Sequence, residues 1–296
     1  INQYGEIHAV NSFEAAAHGV GASAVKDGIS HAAALWNPEG DMGDMEIWEL
    51  VEPLIFLGRQ ILPSSGGAGK YRGGNAWQSL RMVWGAKDWT MFFSGNGYMC
   101  ADCGLMGGYP AASGYRFCAH GTDLKERIAN QLPIPTGGDP DPDAFAYASL
   151  FNAKEVHRDK QCVTTEELFK DYDLYLNTLR GGPGFGDPLD RDPKKVEEDL
   201  NEGHVLPRYA ESVYGAVFHQ QEDGRYVVDV AKTEERRRQM KKERLARGVP
   251  TKQWMAQERQ NILNKKASLQ VRHMYASSFA ISEKFTEEFK TFWNLP

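Results

Sequence analysis

The chain has 296 residues, of which 41% are hydrophobic, and this is enough for one large domain or two smaller ones. A net charge of -6 gives no support to nucleic-acid binding. A mean hydropathy of -0.53 and the lack of a long apolar run argue against a membrane span. Four cysteines are too few for a disulfide scaffold and favour a reducing, cytoplasmic setting.

The charge is unevenly distributed along the chain. Between Lys232 and Arg272, 13 Lys and Arg stand against 4 Glu, which leaves the remaining residues strongly acidic. This asymmetry predicts a basic arm that lies against an acidic partner or an acidic part of the same fold. The alternative is a solvated helix with a face of mixed charge.

The first 185 residues have the pattern of a β-rich body. Apolar alternation predicts strands over residues 44–62, and an aromatic and β-branched stretch predicts them again over 77–93. Residues 64–74 are a glycine-rich turn or loop, and residues 95–118 are a loop region that carries glycine and cysteine. The proline-rich run 133–143 predicts a surface connection.

Helical patterns dominate the last part of the chain. Asp192-Pro193 predicts the start of a helix that ends near Gly203, and longer helices are predicted over 233–247 and 251–266. Strands come first and helices last, without alternating βαβ units. This order predicts an α+β fold, with a β-rich body that carries glycine-rich loops and a helical C-terminal extension.

The glycine-rich segment SSGGAGKYRGG could be taken for a phosphate-binding loop, but it lacks the Walker spacing. Lys70 and Arg72 are candidates for contact with an anion, and His18, in the small-residue stretch AAAHGVGAS, is a candidate for anion contact or cavity lining. The glycines that would let backbone amides approach a ligand or another chain are Gly66, Gly67, Gly69, Gly73 and Gly74. The spacing favours the alternative, an irregular turn with Arg72 in a buried ion pair and His18 as an ordinary packed histidine.

A CxxC pair followed by a CxH pair is compatible with a structural zinc site. The candidate ligands are Cys100, Cys103, Cys118 and His120, with His157 and Cys162 as further possibilities. The segment between the two pairs does not have the usual sequence of a zinc knuckle. The alternative is that these cysteines are small buried apolar residues.

The segment RGGPGFGDPLDRDP, residues 180–193, combines four glycines with three prolines. This composition predicts a rigid, non-repetitive backbone path with a structural role. Four charged residues here, Asp187, Asp190, Arg191 and Asp192, are placed to cap the following helix and to bridge to neighbouring segments.

Several catalytic signatures are absent from the sequence. It has no nucleophile elbow, HExxH motif, dinucleotide fingerprint or biotin-carrying Met-Lys-Met, and no recognisable ATP site. If the protein takes part in ATP chemistry, we expect another chain to bind the nucleotide.

Taken together, the motifs resemble the hydantoinase B/oxoprolinase family. The blocks NPEGDMGDMEIWE, EPLIFLGR, SSGGAGKYRGG and GGPGFGDPLDRDPKKVEEDLNEGHVLPRYAESVYGAV resemble the C-terminal half of that group, over residues 1–220. The stretches RRRQMKKERLARGVPTKQWMAQER and VRHMYASSFAISEKFTEEFKTFWNL resemble the C-terminus of the large subunits of acetone and acetophenone carboxylases. We therefore expect a hydantoinase B-like region over 1–220 and a helical carboxylase-type tail over 221–296.

The resemblance implies a subunit of a biotin-independent, ATP-dependent ketone carboxylase. Such an enzyme combines a ketone with bicarbonate, and the product is a 3-oxo acid. The intermediates are a phosphorylated enol and carboxyphosphate. ATP and Mg²⁺ or Mn²⁺ are expected at the level of the complex, bound by other subunits. The partners implied are an ATP-binding hydantoinase A-like subunit, an N-terminal alpha-type subunit and a small accessory subunit. The chain itself is expected to be the split alpha-prime subunit of an acetophenone carboxylase.

Two other functions stay open on the sequence. The chain could be a structural or interaction subunit of the same complex, as the basic tail suggests. It could also belong to an ATP-dependent hydantoinase or 5-oxoprolinase-type amide hydrolase, although the C-terminal tail argues against this. The resemblance does not assign catalytic residues to the motifs that carry it.

Overall fold

A computed structural model of the chain describes residues 2–9, 18–32, 44–93, 102–136, 149–159 and 165–296. The chain divides into two compact units, Ile1–Arg238 and Gln239–Pro296. The boundary predicted at residue 220 from the two resemblances lies inside the first unit, and the division falls within a helix.

The described residues combine nine strands with eight helices, and the α+β prediction is confirmed. The strands are β1 Leu54–Ile61, β2 Trp77–Val83, β3 Trp89–Phe93, β4 Tyr115–His120, β5 Glu155–Asp159, β6 Thr165–Phe169, β7 Leu174–Thr178, β8 Phe218–Gln220 and β9 Tyr226–Val228. The helices are α1 Met45–Val51, α2 Leu124–Ala129, α3 Pro193–Asn201, α4 Pro207–Ser212, α5 Val230–Arg247, α6 Thr251–Leu263, α7 Leu269–Ile281 and α8 Glu283–Trp293.

A five-stranded antiparallel sheet forms the centre of the first unit. Its strand order is β1-β2-β7-β4-β5. Strand β7 therefore lies between β2 and β4, which are closer to each other along the sequence than β7 is to either of them. One face of the sheet packs against α2, and its buried residues include Leu80, Met82, Phe117, Leu174 and Leu176. All five residues of β7 are buried because both faces of the sheet are covered.

The second face of this sheet is covered by the two-stranded sheet β3-β6. Its apolar contacts join Val83, Cys118 and Tyr175 of the large sheet to Trp89 and Phe169 of the small one. Because side chains alternate along a strand, the residues two positions before and after Cys118 in β4 share this face. These two residues are Arg116 and His120, and they lie at the edge of the apolar layer between the two sheets.

A third cluster holds the helical part of the first unit together. Val196 and Leu200 of α3 pack with Ala210, Tyr214 and other apolar residues of the α4 and β9 region. The predicted start of α3 is confirmed: the Asp192 side chain accepts a hydrogen bond from the amide of Lys194, with proline in the first helical turn.

The prediction of a strand across residues 44–62 is wrong for its first half. Met45–Val51 is a helix, because the Asp44 side chain accepts a hydrogen bond from the Glu46 amide and Glu46 places a negative charge in the first turn. Strand β1 begins only at Leu54, after Pro53. The strands predicted over 77–93 are confirmed as β2 and β3.

The second unit consists of the end of α5 and helices α6, α7 and α8. No residue from Gln239 to Pro296 is buried. Aromatic rings of α7 and α8 pack on one another, with 4.9 Å between the centroids of Tyr275 and Phe289 and 5.2 Å between those of Phe279 and Phe289. None of the described helices combines the length and the apolar character that a membrane span requires.

Candidate functional site

Four glycine-rich segments, residues 18–32, 64–76, 102–112 and 179–186, pack together as bare backbone, and we call them the glycine array. The amide of Gly67 donates to the carbonyl of Gly182 at 2.8 Å, and the amide of Gly74 donates to that of Val20 at 2.8 Å. A Cβ atom on Gly73 would lie 1.8 Å from the Gly182 carbonyl oxygen. These positions therefore require glycine because neighbouring backbones touch.

The amides of Gly66, Gly67, Gly73 and Gly74 already have partners within the protein. Gly66 donates to the side-chain oxygen of Asn75 at 2.8 Å, and Gly67, Gly73 and Gly74 donate to backbone carbonyls at 2.8 to 2.9 Å. A phosphate-binding loop needs several amides free to face the anion. The hydrogen bonds of these four glycines therefore favour the interpretation of SSGGAGKYRGG as an irregular turn over that of a phosphate-binding loop.

The candidate anion-contact residues have different surroundings. Lys70 is exposed, and its ammonium lies 5.6 Å from the centre of the Tyr71 ring. His18 is half-buried, with Nδ1 2.9 Å from the carbonyl oxygen of Gly19. Arg72 is buried and pairs with Asp199, with 3.2 Å from Nε to Oδ1. Anion binding by these side chains stays a prediction, and Arg72 already has its carboxylate.

Arg72 belongs to a buried ion network that joins the array to α3. Arg191, whose side chain is 1% exposed, donates from Nη1 and Nη2 to Asp27 at 2.7 and 2.8 Å and from Nε to Asp199 at 3.0 Å. Asp27 Oδ1 also accepts from the amide of Arg72 at 2.7 Å. Two arginines and two aspartates cancel in charge, which makes their burial tolerable. The predicted bridging role of Arg191 is confirmed.

The network shifts the ionisation of its members. Burial alone would raise the pKa of Asp27, but the hydrogen bond and positive charge of Arg191 outweigh it and lower this pKa. Burial raises the pKa of Tyr214 to about 12, so its hydroxyl stays protonated beside the network. These shifts keep Asp27 ionised and Tyr214 neutral near neutral pH.

A second cluster surrounds His120 at the end of β4. Its Nδ1 lies 2.9 Å from Asp173 Oδ2, just before β7, and its Nε2 lies 2.8 Å from Glu167 Oε1 in β6. Arg116, four residues before His120 in β4, places Nη1 3.4 Å from Glu167 Oε2. Burial lowers the pKa of His120, but the hydrogen bonds to Glu167 and Asp173 outweigh it and raise this pKa.

His157 of the edge strand β5 completes this cluster. Its ring centroid lies 5.9 Å from that of His120, and its Nε2 lies 2.9 Å from Glu155 Oε1. One nitrogen or oxygen atom from each of His120, His157 and Glu167 lies within 4.8 Å of the others. A histidine between two carboxylates can hold a proton or exchange it for a cation.

The predicted zinc ligands are distributed differently. Cys100 lies outside the described residues. Cys103 is an exposed free thiol, and Cys118 is a free thiol inside the apolar layer between the sheets. The group of potential metal ligands in the described residues contains His120 but neither of these cysteines. A cysteine-based zinc site stays a prediction, and Cys118 has the buried apolar setting of its alternative.

Glu167 and Asp173 were not predicted as site residues. Neither lies in a ligand motif, and nothing in the local sequence marks them. The pairing of Ala119 with Leu174 brings the end of β4 beside the start of β7. Only this long-range register places Asp173 against His120.

The fold and these motifs define a member of a known family. Residues 2–188 match the family described as hydantoinase B/oxoprolinase, and the chain belongs to it. Over 295 residues it is 62% identical to the acetone carboxylase alpha subunit of Xanthobacter autotrophicus, covering 100% of this chain and 38% of that subunit. Over 263 residues it is 27% identical to the acetophenone carboxylase delta subunit of Aromatoleum aromaticum, covering 86% of this chain and 36% of that subunit.

Solved structures agree with this assignment. The nucleotide-free structure of acetone carboxylase superposes with a TM-score of 0.90 at 62% identity, over 100% of this chain and 39% of that chain. The ATP-dependent caprolactamase from Pseudomonas jessenii superposes with a TM-score of 0.58 at 21% identity, over 80% of this chain and 35% of that chain, and shows a shared fold. The chain thus spans less than two fifths of the proteins it matches.

Proposed function

We propose that the chain is part of an ATP-dependent ketone carboxylase of the acetone carboxylase type. The observation that carries this proposal is the 62% identity to an acetone carboxylase subunit, which extends over the whole chain. The family match ends at residue 188, so this identity includes the helical region that lies beyond it. A generic family member would not be expected to share that region so closely.

We propose a reaction that combines a ketone with bicarbonate and yields a 3-oxo acid. The intermediates are a phosphorylated enol and carboxyphosphate. Phosphorylation supplies a leaving group, and a closed cavity would protect carboxyphosphate from water. The amides of Gly66, Gly67, Gly73 and Gly74 are engaged within the protein, which argues against ATP binding at this loop. ATP and Mg²⁺ or Mn²⁺ are therefore assigned to other parts of the complex, without biotin.

The partners we propose are an ATP-binding hydantoinase A-like subunit, an N-terminal alpha-type region and a small accessory subunit. The setting is the cytoplasm. Acetone is favoured over acetophenone as the substrate, since identity is 62% to the acetone carboxylase subunit and 27% to the acetophenone carboxylase subunit. A split alpha-prime subunit stays a prediction.

A specific observation favours an additional interaction role for residues 239–296. None of these residues is buried, and several large apolar side chains are exposed, among them Leu245 at 81%, Ile281 at 86% and Phe292 at 67%. A segment in which no residue is buried leaves its large apolar side chains to be covered by another protein. We assign this surface to another subunit of the same carboxylase.

The first experiment is purification of the complex through a tag on this chain, followed by native mass spectrometry. The same sample is assayed for bicarbonate- and ketone-dependent ATP consumption with acetone and with acetophenone. The proposal expects an ATP-binding partner and acetone-dependent turnover. A lone monomer, or hydrolysis of a cyclic amide in place of ketone consumption, would overturn it.

The interaction role has its own test in the same purification. Ile281→Glu should reduce recovery of the partner subunits, because a charge would enter an apolar contact. The matched control is Ile7→Glu, an isoleucine of the first unit that is 95% exposed. Equal recovery with the two variants would exclude the assigned surface.

A further inference from the structure

We propose that His120, His157 and Glu167 form a binding site for a zinc-type divalent metal ion. The three side chains come from β4, β5 and β6, so the site joins the edge of the large sheet to the small sheet that covers it. The inference goes beyond the proposed function, which assigns no metal to this chain.

The donor atoms are close enough for one ion. They lie within 4.8 Å of one another, with 2.8 Å between His120 Nε2 and Glu167 Oε1. Zinc bonds of roughly 2.0–2.2 Å in a tetrahedral arrangement separate ligand atoms by about 3.3–3.6 Å. The close pair must therefore open slightly, and His157 must approach. The side chain of His157 is 43% exposed, so it has room to rotate.

His120 is held in the orientation that a metal ligand requires. Asp173 Oδ2 lies 2.9 Å from Nδ1, which fixes the proton on that nitrogen and leaves Nε2 directed at Glu167. Asp173 is itself held by the amides of Gly121 at 2.8 Å and Lys170 at 2.9 Å. A metal-binding histidine usually donates its other nitrogen to a carboxylate in this way.

The second histidine has a carboxylate beside it as well. Glu155 Oε1 lies 2.9 Å from His157 Nε2. Among the ion pairs described for these side chains, and with both imidazoles neutral, the carboxylates of Glu155, Glu167 and Asp173 stand against the guanidinium of Arg116, an excess of two negative charges. A divalent cation would balance this local excess.

The donor set selects the kind of ion. Two imidazoles and one carboxylate suit Zn²⁺ and similar transition metals, whereas Mg²⁺ and Ca²⁺ prefer oxygen ligands. The partial exposure of His157 leaves space for water as a fourth ligand. The Phe169 ring, with its centroid 4.9 Å from that of His120, forms an apolar wall on another side. The ion would fasten β5 to β6.

A metal-free ion network is the competing arrangement. A proton on His120 Nε2 would also satisfy the contact with Glu167, and Arg116 would balance the remaining charge. In that arrangement the His157 imidazole contacts Glu155 and the His120 ring, but the balance of charge does not require it. Removal of the His157 ring therefore distinguishes the two.

The test uses the protein as purified, with any partners it retains, after removal of metals by a chelator. Co²⁺ is titrated while the visible absorption of tetrahedral or five-coordinate Co²⁺ is followed, and Zn²⁺ is then added as a competitor. Metal content per chain is measured by inductively coupled plasma mass spectrometry. We expect one Co²⁺ per chain at this site, displaced by Zn²⁺ and not by excess Mg²⁺.

His157→Ala should abolish the Co²⁺ absorption and lower the bound metal by one equivalent, with unchanged circular dichroism because the side chain is half exposed. Asp173→Asn should weaken binding by roughly 10–100-fold, as for other orienting carboxylates. The matched control is His219→Ala, an exposed strand histidine elsewhere in the first unit. The proposal is overturned if the wild type gives no such absorption, or if His157→Ala binds metal as His219→Ala does.

Discussion

Replacing Gly73 with alanine should severely destabilise the first unit, because the new Cβ would lie 1.8 Å from the Gly182 carbonyl oxygen. The ordinary contact distance is near 3.4 Å, so the two backbones must separate by more than 1 Å. Two backbone hydrogen bonds of Gly182, to Gly67 and Gly74, are strained by that movement. With about 1–3 kcal/mol for each of the two bonds in a buried setting and a similar overpacking cost, we expect a loss of roughly 3–9 kcal/mol.

The assay is urea or thermal unfolding followed by circular dichroism. For a unit of this size such a loss lowers the Tm by roughly 6–36 °C, and at the upper end it prevents soluble expression. The control is Gly203→Ala, since Gly203 has a φ of +72° but no atom within 4 Å of its Cβ position. That variant should lose only about 1–2 kcal/mol through the left-handed backbone. Equal losses in the two variants would refute the requirement for backbone contact.

Asp27→Asn should cost about 3–5 kcal/mol in urea unfolding, because it removes a charge partner of the buried Arg191. Asp223→Asn, which breaks an exposed pair, should change the free energy of unfolding far less. Since the folded-state pKa of Asp27 lies below its ordinary 3.8, its ionic contribution is present above that pH and is lost as the pH falls through the folded value. Wild-type stability should therefore decline more steeply below pH 3.8 than that of Asp27→Asn; parallel curves in acid unfolding would contradict this. Asn75→Ala should cost roughly 2–4 kcal/mol by thermal unfolding, because Gly66 loses its buried acceptor; a change under about 0.5 kcal/mol would argue against that role.

Elements with strong local signals were predictable from the sequence. The proline and aspartate at the start of α3 and the long charged pattern of α5 each identify a helix without help from the rest of the chain. The apolar and aromatic run of β2 predicted a strand. The prediction holds because both faces of the large sheet are covered, so all residues of β2 are buried. In these cases local preference and tertiary setting agree.

Elements that depend on distant partners were not predictable in the same way. The stretch 44–52 has apolar residues that suit a strand, but the capping side chain of Asp44 decides for α1. The contacts of His120 depend on β4, β6 and the turn before β7 meeting in space. Arg72 could be described from sequence as paired or anion-binding, and its partner Asp199 lies 127 residues away.

The glycine array has a consequence for how the chain reaches its native state during synthesis. The amide of Gly67 finds its acceptor, the Gly182 carbonyl, only after more than a hundred further residues have left the ribosome. Such long-range pairing slows folding, and segments without side chains have little to prevent a shift by one residue. Side-chain hydrogen bonds fix the alignment of these segments. The Asp27 carboxylate accepts from the Arg72 amide, and the Asn75 side chain accepts from the Gly66 amide and donates to the His204 carbonyl. Correct alignment of the bare backbone therefore depends on a few polar side chains at its margins.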